Sequence, residues 1–183
     1  MMTMALAGLM QLGCASAFAG EERNGSSPWL YELKVGLLAH DVGKLWSHFR
    51  REQGVDFNAE AVFSKTGWSF LGGRLRPSAG ISVNSGGDTS KAYAGGLVEW
   101  KLEHEFFVTL GLGVAVHDGE LRTRERDKKE LGSRILFRIP AEFGVAIHDR
   151  HRISIMFDHV SNGYLSDPNE GLDTIGVRYG YLF

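Results

Sequence analysis

The residues of this chain whose types could do chemistry are concentrated close to its end. His159 and Ser161 are two positions apart, and Asp173 follows after a short polar stretch. A serine hydroxyl is a weak nucleophile at neutral pH and needs a neighbouring base, and an imidazole base needs an acid that orients it. Asn162 and Gly163 add an amide and a backbone N–H that could stabilise an oxyanion. These residue types predict attack of Ser161 on an acyl carbon, with His159 as the base.

The acid of this site has two candidates, Asp173 and Glu170. Asp173 has the parity of Ile175 and Val177 in the last predicted strand, so these three side chains share one face. Glu170 precedes that strand in a loop and would have the opposite parity if the strand extended to it. Asp173 also starts the antiparallel neighbour of the strand that carries His159, within cross-strand reach. We therefore expect Asp173 to be the acid and keep Glu170 as the alternative.

The elements that must position these residues are β-strands. Apolar and polar residues alternate with a period of two over most of the chain, and no helical period persists. We predict eight strands, at about 29–40, 53–64, 73–84, 91–102, 105–116, 133–148, 151–161 and 172–183. Strands of roughly 10–14 residues are long enough to cross a bilayer at a tilt, with an apolar outer face and a polar inner face.

The alternation predicts an all-β fold, an eight-stranded antiparallel transmembrane β-barrel of the bacterial outer membrane. An even number of strands closes into a barrel without leaving an unpaired edge in lipid. Tyr179, Tyr181 and Phe183 at the end of the chain suit the aromatic girdle of such barrels. The links after strands one, three, five and seven are extracellular if both termini are periplasmic. A soluble barrel or sandwich of the lipocalin kind, which buries its apolar face, is the alternative fold.

The same alternation assigns each charged or reactive side chain to one wall of the barrel. His159, Ser161 and Asp173 share the outward face with Ile155 and Phe157, so we expect the site to face lipid near the extracellular end. An eight-stranded barrel has an interior filled by side chains rather than a channel. We expect a salt-bridged plug there, formed by Glu32, Lys34, Glu60, Arg74, Arg76, Glu99, Lys101, Arg138, Glu142 and Arg178.

Composition and the first residues restrict the function further. The formal net charge of −2 over 183 residues gives no support to nucleic-acid binding. Residues 1–19 resemble a signal peptide, with an apolar stretch and the small-x-small pattern Ala17-Phe18-Ala19. Cleavage there removes Cys14, the single cysteine, and leaves residues 20–183 as one barrel domain without a disulfide. No later run of about 18 or more apolar residues is present, which disfavours a membrane-spanning helix.

The stretch from His159 to Asp173 is similar to a known motif. His159-Val160-Ser161-Asn162-Gly163, followed by residues 167–173 (DPNEGLD), resembles the C-terminal motif of the lipid A 3-O-deacylase family (PagL type). The resemblance implies an eight-stranded outer-membrane barrel that removes the ester-linked acyl chain at the 3-position of lipid A. It implies His159 as general base, Ser161 as nucleophile, Asp173 as acid, and Asn162 and Gly163 as the oxyanion hole. Well-known members of the family have glutamate at the position of Asp173, whose side chain is one methylene shorter.

The predicted function is therefore an outer-membrane serine esterase that acts on lipid A, the anchor of lipopolysaccharide, without a cofactor or a metal. The alternative is a non-enzymatic small barrel with a structural or adhesive role. A barrel acyltransferase needs an interior cavity that lipid can enter, and the charged interior disfavours it. The expected partners are the lipopolysaccharide substrate and outer-membrane lipid, with no nucleic acid, and a homodimer stays open.

The other histidines and one charged run give weaker predictions. His40, His48, His117 and His148 lack the spacing of a metal site, and we expect them to be solvated residues near strand ends. The mixed-charge run 122–130 is expected to be a solvated extracellular loop. Contacts between its basic residues and the phosphates of lipid A are the alternative.

Overall fold

The computed structural model describes residues 29–43, 45–47, 51–64 and 67–183. Its regular elements are the strands β1 Leu30–Ala39, β2 Val55–Phe63, β3 Ser69–Phe70, β4 Gly73–Asn84, β5 Lys91–Lys101, β6 Phe106–His117, β7 Ile135–Ile147, β8 His151–Ser161 and β9 Leu172–Leu182. None of the residues described there forms a helix that could span a bilayer. The predicted signal peptide, residues 1–19 with Cys14, lies outside the described residues.

Eight long strands close into an antiparallel barrel, which confirms the predicted fold. Consecutive strands pair from β4 to β9, β1 pairs with β2 and with β9, and β2 pairs with β4. The β1–β9 pair joins the first and last strands, so each of the eight long strands has a neighbour on both sides. The strand bounds agree with the predicted ones to within two residues. The agreement is close because each strand has an apolar outer face and a polar inner face, so its sequence alternates over its whole length.

The short strand β3 is absent from the sequence prediction, because two residues are too few to show alternation. It pairs with the first residues of β4, so the two form a tight hairpin in the link after β2. Leu71 at its tip has a positive φ of 47°. The Trp100 indole N–H donates to the Leu71 carbonyl oxygen at 3.0 Å, which ties this hairpin to β5.

The outer wall of the barrel is apolar and exposed. Along β6, for example, Leu110, Leu112 and Val114 leave about half or more of their surface uncovered. Aromatic side chains gather where the chain ends, and the rings of Tyr181 and Phe183 meet at 5.2 Å in an edge-on contact. A soluble barrel would turn this face inward, so the soluble alternative is wrong. The apolar wall suits contact with lipid.

Paired charges fill the barrel interior, as the sequence predicts. Glu142 of β7 accepts hydrogen bonds from Lys34 Nζ at 2.6 Å and from Arg178 Nη2 at 2.7 Å. Glu60 of β2 pairs with the same Arg178 at 2.7 Å and with Arg138 at 3.2 Å. Buried charges are tolerated when they are paired and hydrogen-bonded. The alternating signs around these groups explain how a narrow barrel accommodates so many ions.

The membership of this network differs in part from the prediction. Three further ions belong to it, Lys91, Arg152 and Asp158. Arg76 packs its guanidinium on the Tyr31 ring, 3.5 Å from the ring centroid. Arg74 and Lys101 are exposed, in contrast, because they lie where β4 begins and β5 ends. A charge at a strand end therefore reaches solvent even though its parity points inward.

Four loops meet at one end of the barrel, which we call the long-loop end. They comprise the described residues of 40–54, together with residues 85–90, 118–134 and 162–171. Leu131 of the third loop is fully buried and packs in one apolar cluster with Leu136, Val160 and Leu172. This cluster supports the inner side of β8 and β9 at the point where the candidate site lies on their outer side.

Candidate active site

The structure brings His159, Ser161 and Asp173 together on the outer wall at the long-loop end. Asp173 Oδ1 lies 2.6 Å from His159 Nδ1, and His159 Nε2 lies 3.1 Å from Ser161 Oγ. A carboxylate on Nδ1 keeps the ring proton on that nitrogen and leaves the Nε2 lone pair for the serine hydroxyl. The three groups form one hydrogen-bonded series in the order that activates a hydroxyl as a nucleophile.

The pairing of β8 with β9 explains why the shorter aspartate reaches the imidazole. His159 and Asp173 are direct cross-strand partners in the antiparallel ladder. Opposite side chains in such a ladder have Cβ atoms about 4.5–5.5 Å apart, so a longer acid is not needed. Val160 and Leu172, the next pair of this ladder, are buried on the inner face. Their packing fixes the register that places Asp173 beside His159.

Part of the first loop covers the site from the outside. The Trp46 indole stacks on the His159 imidazole, with ring centroids 4.4 Å apart and an interplanar angle of 10°. The backbone N–H groups of Trp46 and Ser47 both donate to Asp173 Oδ2 at 2.7 Å. His159 and Asp173 are consequently buried, whereas Ser161 is partly exposed. The prediction that all three face lipid is wrong for His159 and Asp173, because periodicity within a strand cannot show a loop that folds over it.

Glu170, the alternative acid, is engaged elsewhere. Its Oε1 lies 2.8 Å from Arg51 Nη2, and its Oε2 accepts the Glu130 backbone N–H at 2.7 Å. These contacts connect the loop 162–171 with the loops 40–54 and 118–134. Glu170 therefore links three loops in this structure, and the carboxylate beside His159 belongs to Asp173.

The predicted oxyanion donors lie in the turn that follows Ser161. The Leu165 N–H donates to the Asn162 carbonyl oxygen at 3.2 Å. Gly163 and Tyr164 have φ values of 63° and 62°. Two central residues in the left-handed region make this a type I′ turn, and glycine adopts that region without strain. The chain thus turns sharply within two residues of the candidate nucleophile.

Both donor groups of Asn162 are used within the protein. Its side-chain amide donates to the carbonyl oxygens of Leu131 at 3.0 Å and Pro168 at 2.8 Å, and its backbone N–H donates to Asn169 Oδ1 at 2.9 Å. Asn162 therefore holds the turn against its neighbours. Gly163 is exposed, and its N–H has no acceptor within the part of the chain that the structure describes. Of the two predicted donors, Gly163 is the one open to a ligand.

A second histidine, His40, lies at the base of the first loop and has two carboxylate partners. His40 Nδ1 is 2.7 Å from Asp56 Oδ1, and His40 Nε2 is 2.9 Å from Glu52 Oε2. All three side chains are buried. Burial by itself lowers the pKa of His40, but the hydrogen bonds with Asp56 and Glu52 and their charges outweigh it and raise this pKa to about 9. His40 is thus an ion-paired imidazolium at neutral pH, and the prediction that it is solvated is wrong.

Other loops complete this cluster. The Lys129 backbone N–H donates to Glu52 Oε1 at 3.0 Å, and Lys129 Nζ lies 3.2 Å from Asp41 Oδ1. The Thr89 hydroxyl also donates to Glu52 Oε1, at 3.0 Å. Burial raises the pKa of Glu52, but the hydrogen bonds from His40, Lys129 and Thr89 outweigh it and lower this pKa to about 2. The cluster is therefore charged on both sides at neutral pH.

The remaining weak predictions have mixed outcomes. His117 is buried, and its Nε2 lies 2.7 Å from the Ser133 carbonyl oxygen, so the prediction that it is solvated is wrong. His148 is exposed as predicted, and His48 lies outside the described residues. The run 122–130 is largely exposed, but Lys129 within it is fully buried. Among the described residues, no group of three or more His, Cys, Asp or Glu is arranged to hold a metal ion.

Exposed apolar side chains lie in the two loops next to the candidate nucleophile. Leu45 and Trp46 of the first loop are about half exposed, and Tyr164 and Leu165 of the last loop are more than three-quarters exposed. Phe137, the cross-strand partner of Ser161, also leaves 45% of its surface uncovered. An aliphatic chain can therefore approach the Ser161 hydroxyl without crossing a polar surface.

An eight-stranded barrel with an apolar outer wall and an ion-filled interior defines a transmembrane β-barrel of the outer-membrane class. Its Ser-His-Asp series lies on that outer wall rather than in a water-filled cleft. The sequence model of one family, described as lipid A 3-O-deacylase (PagL), matches residues 5–182. The chain belongs to the lipid A 3-O-deacylase family.

Individual relatives agree with this assignment. The chain is 28% identical over 188 residues to the lipid A deacylase PagL of Bordetella bronchiseptica, covering 95% of this chain and 92% of that relative. The crystal structure of the outer membrane enzyme PagL matches with a TM-score of 0.60 at 19% identity, over 82% of this chain and 99% of that one. A de novo designed transmembrane β-barrel matches with a TM-score of 0.51 at 12% identity, over 86% and 98%. At these identities the two solved structures support the fold.

Proposed function

We propose that this outer-membrane barrel is a carboxylic ester hydrolase that removes the 3-O-linked acyl chain of lipid A, with Ser161 as nucleophile. His159 is the general base, and Asp173 is the acid that orients it. Membership of the lipid A 3-O-deacylase family supports the substrate. The observation that carries the mechanism is the unbroken hydrogen-bonded series from Asp173 through His159 to Ser161, on the wall that faces lipid.

The first half of the reaction forms an acyl-enzyme. Ser161 Oγ attacks the ester carbonyl carbon while His159 Nε2 takes the hydroxyl proton. The carbonyl oxygen becomes an oxyanion, and the exposed Gly163 N–H is the donor that we assign to it. Asn162 acts through the turn that it holds rather than through its engaged amide. The tetrahedral intermediate collapses when the bond from the acyl carbon to the sugar oxygen breaks, and the leaving sugar oxygen takes from His159 the proton that came from Ser161.

The second half of the reaction releases the fatty acid. Water attacks the acyl carbon of the acyl-enzyme, and His159 Nε2 takes the proton of that water. Collapse of the second tetrahedral intermediate frees Ser161, which regains its proton from His159. During both halves Asp173 stays ionised and stabilises the imidazolium that forms. Its Oδ2, bound by two backbone N–H groups, keeps the carboxylate in the plane where Oδ1 meets the imidazole.

The outer wall below the site supports an aliphatic substrate. A shallow and mainly apolar groove of about 600 Å³ follows β1, β2, β8 and β9, and its lining includes Val35, Leu37, Ile153 and Val177. Val177 has the outward parity of Asp173 and lies four positions along β9, about 13 Å away at the rise of an extended strand. An acyl chain that enters this groove from Ser161 stays among apolar side chains.

Mass spectrometry of lipid A from cells that express the protein tests this function. We expect the wild type to remove one 3-hydroxyacyl mass from lipid A. Ser161→Ala should lose at least about 10⁴-fold in turnover, because the chemistry has no nucleophile without the hydroxyl. Ser166→Ala, in the loop that follows Ser161 but outside the hydrogen-bonded series, is the control and should match the wild type. A folded Ser161→Ala barrel that still deacylates lipid A would exclude the proposed nucleophile.

The rival function is a structural or adhesive barrel without activity. It predicts identical lipid A spectra for the wild type and Ser161→Ala, with both barrels folded. The family membership does not favour it, and neither does a serine on the lipid-facing wall whose hydroxyl is bound to a buried imidazole. The homodimer stays a prediction that cross-linking in the membrane can test.

A further inference from the structure

Two residues of the first loop, Trp46 and Ser47, make direct contact with the proposed base and acid. We call residues 45–47 the covering segment. Its Trp46 ring lies flat on the His159 ring, and its two backbone N–H groups occupy Asp173 Oδ2. Val42, just before the segment, donates its N–H to the Asp173 carbonyl oxygen at 2.8 Å. The covering segment thus contacts two of the three groups in the hydrogen-bonded series.

Each contact restricts the rotation of one side chain whose orientation matters for the reaction. Two N–H donors on Oδ2 prevent the Asp173 carboxylate from rotating its other oxygen away from His159. An indole stacked at 4.4 Å prevents the imidazole from swinging outward about its χ angles. The same indole covers one ring face, so water cannot reach the Nδ1–carboxylate hydrogen bond from that side. The electron-rich face of tryptophan also attracts a cation, which the imidazole becomes during the reaction.

The base of the first loop fastens the covering segment. Asp41 Oδ2 accepts the backbone N–H groups of Arg51 at 2.6 Å and Glu52 at 3.0 Å, which closes the loop on itself. His40 beside it is held by two carboxylates, and Lys129 from another loop pairs with Asp41. The position of Trp46 over His159 is therefore set by a buried ionic cluster and not by the indole alone.

We propose that Trp46 is a positioning residue for the deacylation reaction, which holds the His159 imidazole in line between Asp173 and Ser161. This inference rests on the proposed function of the Ser161 site. Trp46 touches the base rather than the reacting ester, so it contributes to turnover and little to substrate affinity. Its neighbour Leu45 is apolar and about equally exposed, but leucine has no ring that could stack on the His159 imidazole.

The kinetics of four variants on purified lipid A in detergent micelles test this role. Trp46→Ala should lower kcat by about tenfold to a hundredfold, the effect of a small misplacement of a reacting group, and change KM by less than about threefold. Trp46→Phe keeps a stacking ring and should recover most of kcat. Leu45→Ala controls for lost lipid contact, and Ser161→Ala sets the floor. Equal losses in Leu45→Ala and Trp46→Ala, or no recovery in Trp46→Phe, would overturn the role of the stack.

A second readout needs no activity and separates the two proposals. Contact with an imidazole quenches the emission of an indole. We take the emission of Trp46 as the difference between wild type and Trp46→Phe, and we expect it to be weaker than the same difference measured in a His159→Asn background, because His159 lies against the indole ring. If Ser161→Ala retains deacylation but this quenching is present, the proposed function of the Ser161 site is excluded while the contact between Trp46 and His159 is supported. If the quenching is absent in a folded barrel, the positioning role fails whatever the activity.

Discussion

His40 and His159 lie at the same end of the barrel, and each has an aspartate on its Nδ1 atom. His40 meets Asp56 at 2.7 Å, and His159 meets Asp173 at 2.6 Å. The two histidines differ at Nε2, where His40 meets the carboxylate of Glu52 and His159 meets the hydroxyl of Ser161. Both rings are buried, so burial does not distinguish them.

The partner on the second nitrogen decides what each histidine can do. Two carboxylates hold both ring protons of His40, so that histidine is a cation at neutral pH and ties loops together. One carboxylate and one hydroxyl leave His159 with a lone pair that can accept a proton and later return it. An imidazole with a carboxylate on one side is therefore not a sign of catalysis until the atom on its other side is known.

The same substitution on each aspartate gives the sharpest contrast and the largest expected effect. Asp173→Asn should lower the deacylation rate by about 10³–10⁴-fold, because an amide at this position favours the wrong tautomer of His159. The measurement is kcat on purified lipid A, with folding verified by heat-modifiable migration on gels. A loss smaller than tenfold would remove Asp173 from the proposed reaction.

Asp56→Asn should have the opposite profile. It leaves the His40 imidazolium with one carboxylate and weakens the hydrogen bonds of Ser82 and Asn84 to the same side chain. We expect a loss of about 1–3 kcal/mol in the free energy of unfolding, the usual cost of an impaired buried polar group. Turnover per folded molecule should stay within about tenfold of the wild type, since no reacting group is changed. Urea unfolding in detergent and lipid A kinetics on one preparation measure both quantities.

The pH dependence of the first loop provides a third test. The pKa of His40 is raised from 6.5 to about 9, so its contribution to stability is fully present below about pH 6.5 and is lost as the pH rises through about 9. The pKa of Glu52 is lowered from 4.5 to about 2, so its contribution is present above 4.5 and is lost as the pH falls toward 2. Protease cleavage within residues 40–54 should therefore increase on the alkaline side.

His40→Gln is the control for this pH dependence. The variant should be cleaved faster than the wild type at neutral pH, and its rate should not rise through pH 9 beyond the change in protease activity. An alkaline rise of the same size in both proteins would show that another group controls the loop.

Glu170→Gln should have the smallest effect. Glutamine keeps an acceptor for the Glu130 N–H and loses the charge that pairs with Arg51. A partly exposed ion pair contributes about 0–1 kcal/mol, so we expect turnover within about fivefold of the wild type. A severe loss in Glu170→Gln together with a mild one in Asp173→Asn would transfer the role of the acid to Glu170.

The strands and the series from Asp173 to Ser161 can be predicted from the sequence for the same reason. A bilayer outside and an ionic interior force successive residues to opposite walls, so parity alone assigns His159, Ser161 and Asp173 to one face. The strands on either side of the link 162–171 are antiparallel neighbours, which brings His159 and Asp173 within cross-strand reach of each other. Periodicity is a local property, and it is informative wherever contacts are local.

The covering segment and the His40 cluster cannot be predicted in this way. Trp46 and Glu52 lie in an irregular loop, where no period relates a residue to its environment. Their partners lie far along the chain, since Asp173 meets Trp46 across 127 positions and Lys129 meets Glu52 across 77. The hydrogen bonds of the Asn162 side-chain amide cannot be predicted from periodicity either, because they depend on how the loops 118–134 and 162–171 pack together.

The β1–β9 pair has a consequence for how the protein comes to be active. The covering segment follows β1 and the acid starts β9, and they become neighbours only when the first and last strands meet. A chain that has not yet entered the membrane, or one that is inserted before β1 has paired with β9, therefore has an incomplete site. We expect esterase activity to appear with barrel closure, so that assembly in the membrane itself switches the enzyme on.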